Sequence, residues 1–561
     1  KEKEGMDLVC SSDDESECQR RPDEREVKKR KTIDVVEESD DDGEEEGEEE
    51  GGIPFATPDR EGEGEDEVDL GGGVRASQDF VKNFAAPPSR KKKTTKLFYD
   101  PIHSHISFDE DVLQFIDTPQ FQRLRDLKQL GTCYFVYPGA THNRFEHCLG
   151  VSHLAGEMAL HLRDQQKGLG ITSDEIKLLR LAGLLHDIGH GPFSHVFDGE
   201  FIPKALPGSS SWTHEQGSIM LIDYLIDDNN IDMEKTDVQF IKDAIQPSPS
   251  VLKKDRSFLY DIVANYRNGI DVDKFDYLAR DSYNLQWKSS YDFKRLMMFS
   301  RVVEDKICYH AKEAFMVYEL FRTRYSLFRQ VYTHRVSKAI EFMVTDALLA
   351  ADKHLRISEC IFDPERYCTL TDGILSEIEH SKEPELNDAR DIIKRLRRRQ
   401  LYSFIEESLI TAETEDAFRR LTAADLVCYQ PNSGPLVSDQ SLKLEEDDIQ
   451  IHTQKINWGM KDQDPVKRVT WWSSSGDPDK CVQLDPEAVS AIKPTTFQDR
   501  IVRIYCKDRR KANMARYAFN AWCQKNTNIE PNPVFSQDFR SDVKFNTPER
   551  RGKRTLRIPP R

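Results

Sequence analysis

The sequence predicts a mainly α-helical protein with a smaller α+β lobe toward the C-terminus and a disordered acidic tail at the N-terminus. Three observations carry this. The first is charge: residues 1–90 hold 30 Asp+Glu against 13 Lys+Arg, whereas all 561 residues hold 99 against 80. The acidity belongs to the tail, and the body is close to neutral, so the net charge of −19 says little about a working surface. The second is the helical spacing of apolar residues through the middle of the chain. The third is that strand-like pieces stand out only late, at Val469–Trp472, Cys481–Leu484 and Ile501–Cys506.

Taken in order, residues 1–90 have too few large apolar side chains to offset the entropy of ordering. Glu44–Glu50 is acid broken only by Gly47, and Gly71-Gly72-Gly73 follows. Two basic clusters interrupt it, Lys28-Lys29-Arg30-Lys31 and Arg90 to Lys96. Each suits a nuclear import signal, which makes the nucleus the expected compartment and the cytoplasm the alternative. The plainer reading of both is a solvated charge run. Globular sequence begins near Leu97. A helix is expected over Val151–Arg163. Thr172-Ser173-Asp174-Glu175 supplies cap hydroxyls and early acids for another, which runs through Ile176, Leu179, Gly183 and Leu184 to Gly189. A long amphipathic stretch covers Phe315 to about Leu355, and Met514–Gln524 is helical again. The expected layout is a tail at 1–90, a helical domain at 97–355, an α+β lobe at 356–535 and a basic tail at 536–561.

Several classes drop out. No run of 18 apolar residues occurs, so no membrane-spanning helix and no membrane partner are expected. The opening Lys1-Glu2-Lys3-Glu4 lacks the apolar stretch of a secretory signal. The 11 cysteines include no Cys-x-x-Cys pair, which suits reduced thiols rather than a disulfide framework or a cysteine zinc site. No phosphate-binding Walker loop is present, and Gly189-His190-Gly191 does not complete a dinucleotide fingerprint.

The informative segment is Leu185–His195, with three His and one Asp in eleven residues. Packing alone explains such a cluster poorly, because each imidazole would need buried partners. His186-Asp187 can reach one ion beyond a helix end, and imidazole with carboxylate suits Zn, Fe, Mn or Ni. His147 and Asp273 are candidates for further ligands. His186 and His190, four apart, also mimic a zinc-protease helix, but Gly189, Gly191 and Pro192 break the helix such a site needs.

His147, His186-Asp187 and Asp273 together resemble the His…His-Asp…Asp pattern of the HD superfamily of metal-dependent phosphohydrolases. The likeness extends to Asp100–His103, Asp117–Leu124, His142–His147, Trp212–Gln216 and Asp271–Asp281. It reaches Asn457–Met460 and Arg503–Lys507, so that residues 97–535 resemble the deoxynucleoside triphosphate triphosphohydrolases typified by the eukaryotic SAM-and-HD-domain protein. Residues 1–90 are too acidic to fold as a SAM bundle, so the expectation is an enzyme core behind a different N-terminal segment.

The resemblance implies an HD-domain helical core that hydrolyses a dNTP to deoxynucleoside and inorganic triphosphate. It implies His147, His186, Asp187 and Asp273 as ligands of a divalent metal (Zn, Fe or Mn), with Mg accompanying the nucleotide. A bound cation acidifies water, which would serve attack at the α-phosphorus. His195 matches the acid that protonates the leaving 5′ oxygen, with Asp198 orienting it and His214 and Glu215 in support. His190 matches an α-phosphate contact; Arg144, Lys274 and Arg324 match further phosphate contacts. Tyr277 and Asp281 share a helix face. Asp281 with Gln129 matches recognition of the sugar 3′-hydroxyl, and Leu130 and Tyr332 would exclude a 2′-hydroxyl. Relatives assemble tetramers under nucleotide control, so GTP or dGTP and a dNTP are the expected effectors and a homotetramer the expected assembly. Lys96, Asp117, Gln122 and Arg125 match the guanine site. Arg295, Lys312, His334, Arg335 and Lys507 match second-site or phosphate contacts. Tyr99, Met316, Thr333 and His310 depart from the pattern there. Cys308 and Cys506 match two of a redox-sensitive trio whose third position is Val303.

Three further readings complete the expectations. The basic segments suit single-stranded nucleic acid, with the HD site vestigial in the extreme. Another nucleotide could be the substrate of an HD phosphohydrolase. Thr547-Pro548 and Thr57-Pro58 fit proline-directed phosphorylation.

Overall fold

A computed structural model describes residues 95–209, 212–431, 442–477 and 479–527. The acidic tail, the cluster Lys28–Lys31, Thr57, Thr547 and the basic C-terminal segment lie outside these residues. Among the described residues no helix is long and apolar enough to cross a membrane.

The described chain is dominated by helices. The helix expected over Val151–Arg163 runs Arg144–Gln165 and starts seven residues earlier than its apolar spacing suggests, because Asn143 and Glu146 form a reciprocal capping box. Ser173–Leu185 starts at the expected cap, with Thr172 Oγ1 accepting from the Glu175 N–H at 3.1 Å. It ends at Leu185 rather than at Gly189, so His186 and Asp187 sit just past its last turn. Gly183 lets the two helices approach; a Cβ there would meet Val151 O at 2.9 Å. Val272–Asn284, capped by Asp271, packs on the other side of Arg144–Gln165.

The single amphipathic stretch expected at 315–355 is two helices, Ala314–Leu327 and Arg335–Leu355. A wide π turn at Phe328–Tyr332 separates them, and the His334 ring caps the second. The break turns Tyr332 toward Asp281.

Strands are short. β1 (Thr95–Asp100) pairs antiparallel with β2 (Ser104–Asp109). β3 (Ser300–Val303) pairs antiparallel with β4 (Lys306–His310), and β7 (Trp471–Trp472) joins β4 in parallel. In the third sheet β8 (Gln498–Cys506) lies between β5 (Ser403–Leu409) and β6 (Ile449–Asn457), antiparallel to both. The strand expected at Cys481–Leu484 is only a bridge at Val482, opposite Trp471. Its backbone passes Cys481 within 3.3 Å of Cys308, Sγ to Sγ.

Two apolar cores result among the described residues. The larger spans Ile106 to Leu396 and adds Trp471 and Tyr505; the helices between 357 and 396 pack into it. The smaller joins Ile405, Ile449, Val502 and Ile504 of the third sheet to Phe519 and Trp522 of the Ala512–Asn526 helix.

At Gly150 the fold leaves no room for a side chain. A Cβ there would lie 1.9 Å from Asp276 Oδ1 and 2.6 Å from Arg280 Nη2. Gly150→Ala should therefore cost about 3–5 kcal/mol by breaking that buried ion pair. Gly168→Ala, with nothing within 4 Å, should stay within about 0.5 kcal/mol of the parent. Urea midpoints of the two variants check this; equal midpoints would refute the tight packing.

Candidate active site

Three helix ends converge on one point. Arg144–Gln165 supplies His147 from its first turn, Ser173–Leu185 delivers His186 and Asp187 past its C-terminus, and Val272–Asn284 supplies Asp273 from its first turn. One ligand atom each from His147, His186 and Asp273 lies within 4.8 Å of the others. His147 Nε2 is 3.2 Å from Asp273 Oδ1, and His186 Nε2 is 3.5 Å from the same oxygen. Asp187 adjoins them, with Oδ1 3.5 Å from His186 Nε2 and Oδ2 3.6 Å from His147 Nε2.

The tautomers are set from behind. His147 Nδ1 donates to Asp276 Oδ2 at 2.7 Å and His186 Nδ1 donates to Gly183 O at 2.9 Å. Both Nε2 atoms are thereby turned inward, buried and without a hydrogen bond. That fits a divalent cation: two imidazole lone pairs and two carboxylates, the donor set of Zn, Fe or Mn, each imidazole fixed by an outer partner. Burial works against a charge on His147, but the neighbouring carboxylates of Asp273, Asp276 and Asp187 outweigh it and push the imidazole up to about 10. A cation would displace that proton.

Asp276 was not among the residues singled out from sequence. It is fully buried and accepts from His147, from His103 Nε2 at 2.6 Å, and from Arg280 at 2.8 and 2.9 Å. Arg280 also donates to Asp100 Oδ2 at 2.8 Å. Its signal was the run Asp273, Asp276, Arg280, a polar stripe at helical spacing on a segment that must bury one face.

The second cluster is His190, His195 and His214. His190 stacks on His214 with centroids 3.8 Å apart, and His195 stands 5.1 Å from His190 and 5.3 Å from His214. Burial, reinforced by Arg144, holds His190 well below the usual imidazole range. The His195 side chain is 75% exposed in the cavity mouth. Asp198, expected to orient His195, is 3.7 Å from it and closer to His214, at 2.7 Å. Burial opposes its charge, yet its contacts with His195 and His214 hold the carboxyl well below the usual range. Glu215 is 3.5 Å from His214 Nε2.

Between the clusters, Phe193 and Ser194 adopt left-handed φ of 60° and 57°. Partners distant in sequence hold this loop. Arg123 donates to Ile188 O and His190 O, at 3.2 and 2.7 Å. Tyr367 donates to Gly189 O at 2.7 Å. Asp372 accepts from the Phe193 N–H at 2.6 Å and from the Lys128 N–H at 2.9 Å. Sequence reasoning missed all three, since nothing local marks them.

A cavity of about 570 Å³ opens onto both clusters. Gln129, Leu130, Arg144, Tyr277, Asp281 and Tyr332 line it as expected. Asp281 accepts from His142 Nε2 at 2.7 Å and from the Tyr332 hydroxyl, and Gln129 Oε1 is buried without a partner. Arg144, expected to meet phosphate, is bonded to Asp187, Ser194 Oγ and Gln129 O. Lys274 and Arg324 do not line this cavity. Lys274 Nζ lies 3.2 Å from both oxygens of Asp271, and Arg324 donates to Asn457 O at 2.8 Å.

The expected effector residues fall in three places. Lys96 pairs with Asp117 at 3.6 Å, and Arg125 Nε donates to Gln122 Oε1 at 2.8 Å while its guanidinium covers Phe145. Arg295 pairs with Glu313, and Lys312 Nζ sits 3.6 Å from the centre of the Phe299 ring. Arg335 and Lys507 line a cavity of about 1010 Å³ with Arg395, Arg399 and Arg510, next to which His334 caps its helix.

Burial pushes the Asp372 carboxyl up to about 6, the two N–H donors offsetting only part. The folded protein thus holds this proton more tightly than the unfolded chain, where an Asp titrates near 3.9. The associated stability is greatest at low pH and is lost as pH rises toward and through about 6. Relative to Asp372→Asn, the parent should lose roughly 1 kcal/mol between pH 5 and pH 7.5. Parallel urea-midpoint profiles for the two proteins would refute it.

Comparison with known proteins agrees with this geometry. The HD domain family matches residues 144–281. The "Deoxynucleoside triphosphate triphosphohydrolase SAMHD1 homolog" of Dictyostelium discoideum is 43% identical over 454 residues, covering 81% of this chain and 85% of its own length. "Deoxynucleoside triphosphate triphosphohydrolase SAMHD1" of Bos taurus is 41% identical (78% and 80% covered), and that of Homo sapiens 39% (78% and 75%). With the relatives covered this fully and the His and Asp side chains brought together, the chain belongs to the HD-domain deoxynucleoside triphosphate triphosphohydrolases of the SAMHD1 type.

Proposed function

We propose that the chain hydrolyses dNTPs at the α-phosphorus, releasing deoxynucleoside and inorganic triphosphate, and so lowers the dNTP supply. One observation carries the reading: His147, Asp187 and Asp273 line one cavity with Gln129, Leu130, Asp281 and Tyr332, and His186 completes their cluster 3.5 Å from Asp273 Oδ1. A divalent cation held by the first four residues would acidify a water molecule and polarise the α-phosphate. Asp281 and Gln129 would bind the sugar 3′-hydroxyl, Asp281 already being oriented by His142 and Tyr332. Leu130 and Tyr332 would leave no space at C2′. His190, kept neutral by burial, can donate one N–H to the α-phosphate while its other nitrogen carries no charge. His195 would give a proton to the leaving 5′ oxygen, and Asp198 would balance the imidazolium across the His195–His214 pair. Mg would accompany the triphosphate.

We further infer control by assembly. Lys96, Asp117, Gln122 and Arg125 would supply one half of a guanine-nucleotide site, and Arg335 and Lys507, in a basic groove, the other. Two copies facing each other would supply both halves, with GTP or dGTP and a dNTP as effectors of a tetramer. Nuclear placement through the basic clusters, and binding of single-stranded nucleic acid there, remain part of this reading.

Incubation with dGTP, with and without GTP, tests the chemistry. Triphosphate and deoxyguanosine are expected; monophosphate or pyrophosphate would point to another HD hydrolase. His195→Ala should keep its metal and nucleotide affinity yet lose roughly 10²–10⁴-fold in kcat. Activity within a few-fold of the parent would assign the proton to another group.

Light scattering tests assembly. GTP or dGTP should convert a monomer or dimer to a tetramer, and Arg125→Ala should prevent it. An unchanged mass with nucleotide would overturn the effector reading and leave the catalytic one standing.

A further inference from the structure

The candidate metal residues stand in a wall between two cavities. On one side is the cavity of about 570 Å³ described above; on the other is a second of about 290 Å³. Asp187, Asp273 and His214 face both. His147, His190 and His195 line only the first, while His186, Glu215 and Lys274 line only the second. The second cavity is below the usual range for small-molecule sites and has space for about ten waters at liquid density.

We propose that this second cavity is a port through which water and the active-site cation reach the His186–Asp273 side of the site while a nucleotide fills the main cavity. The proposal rests on the dNTP-hydrolysis reading for its chemistry. In-line displacement at phosphorus places the entering and leaving oxygens on opposite sides. His195, the donor to the leaving oxygen, lines only the main cavity, so the entering oxygen approaches from the other side. Water consumes one P–O bond: its oxygen joins the α-phosphorus, the 5′ oxygen leaves with the proton from His195, and the water's own proton restores the active site. A nucleotide seated in the main cavity would block resupply from there, and the port keeps it open.

The charge of the port agrees. Asp187, Asp271, Asp273 and Glu215 outnumber its one cation, Lys274, whose Nζ is 3.2 Å from both Asp271 oxygens. An acidic passage attracts a divalent cation. Asp273 is 29% exposed against 1% for His147, and its carboxylate faces both cavities. Tyr266, 57% exposed, and half-buried Ala264 line the passage and offer handles on its width.

The test is exchange of bound zinc for isotopically labelled zinc in the zinc-loaded full chain, read by mass spectrometry, with and without a saturating non-hydrolysable dGTP analogue. With the analogue bound, the parent should exchange within two- to three-fold of its free rate. Ala264→Trp should slow exchange at least ten-fold, but only when the analogue is present. Tyr266→Ala should speed it. Protection of ten-fold or more by the analogue in the parent would overturn the port. So would parental exchange rates in both variants. If Ala264→Trp fails to fold, the parent and Tyr266→Ala decide between these outcomes alone. Triphosphate release from dGTP is measured separately: its absence would sink the hydrolysis reading without changing what the exchange rates say about the passage.

Discussion

A fully buried carboxylate, Asp276, organises the site. It accepts four hydrogen bonds, two from Arg280 and one each from His103 and His147. A lone charge in that place would be untenable, so each donor is an obligation: without Arg280 or His103 the carboxylate would keep its desolvation cost and lose its compensation. Burial opposes its ionisation, and Arg280 with the two imidazoles holds it well below the usual carboxylate range. Because Asp276 stays an acceptor, His147 must donate from Nδ1 and present Nε2 to the ligand cluster. The same pairing ties β1, through Asp100 and Arg280, to two of the three helices that form the site. Packing and chemistry therefore share one set of atoms, and Gly150 is small because the helices must meet there.

The loop from His186 to His195 depends on a second set of restraints. Its backbone turns through two left-handed residues that are not glycine, a conformation that costs of order 1 kcal/mol or more each. Arg123, Tyr367 and Asp372 meet its carbonyls and N–H groups from segments before and after it in the chain. Those bonds keep His190 against Asp187 and leave His195 projecting into the cavity. Rigidity of the scaffold and exposure of the proton donor are thus obtained together.

Much of this was legible in the sequence, and the rest was hidden for physical reasons. His147, His186, Asp187 and Asp273 could be named because ligand chemistry restricts residue type and the helix ends carry recognisable caps. The helical class followed from spacing, and Thr172 and Glu175 marked a start correctly. The early hairpin β1–β2 and the strands β5 and β6 were missed, since at least half of the side chains in each are polar. The break at Phe328–Tyr332 escaped because a π turn preserves apolar spacing while altering direction. Arg144 looked like a free cation near a ligand; its neutralising of Asp187 depends on a contact 43 residues away. Asp372 was invisible for the same reason: its role lies in two backbone N–H groups, and no side-chain pattern announces it.

That Asp372, Tyr367 and Arg123 all lie outside residues 144–281 bears on how the protein can be divided. A fragment cut at the limits of the HD match would retain every candidate ligand yet leave the loop between them without its outside anchors, and would also sever Asp276 from His103. The recognisable unit of descent is smaller than the unit that holds its shape. Insertions or fusions placed between 282 and 372 would test the active loop even though they fall nowhere near it in sequence.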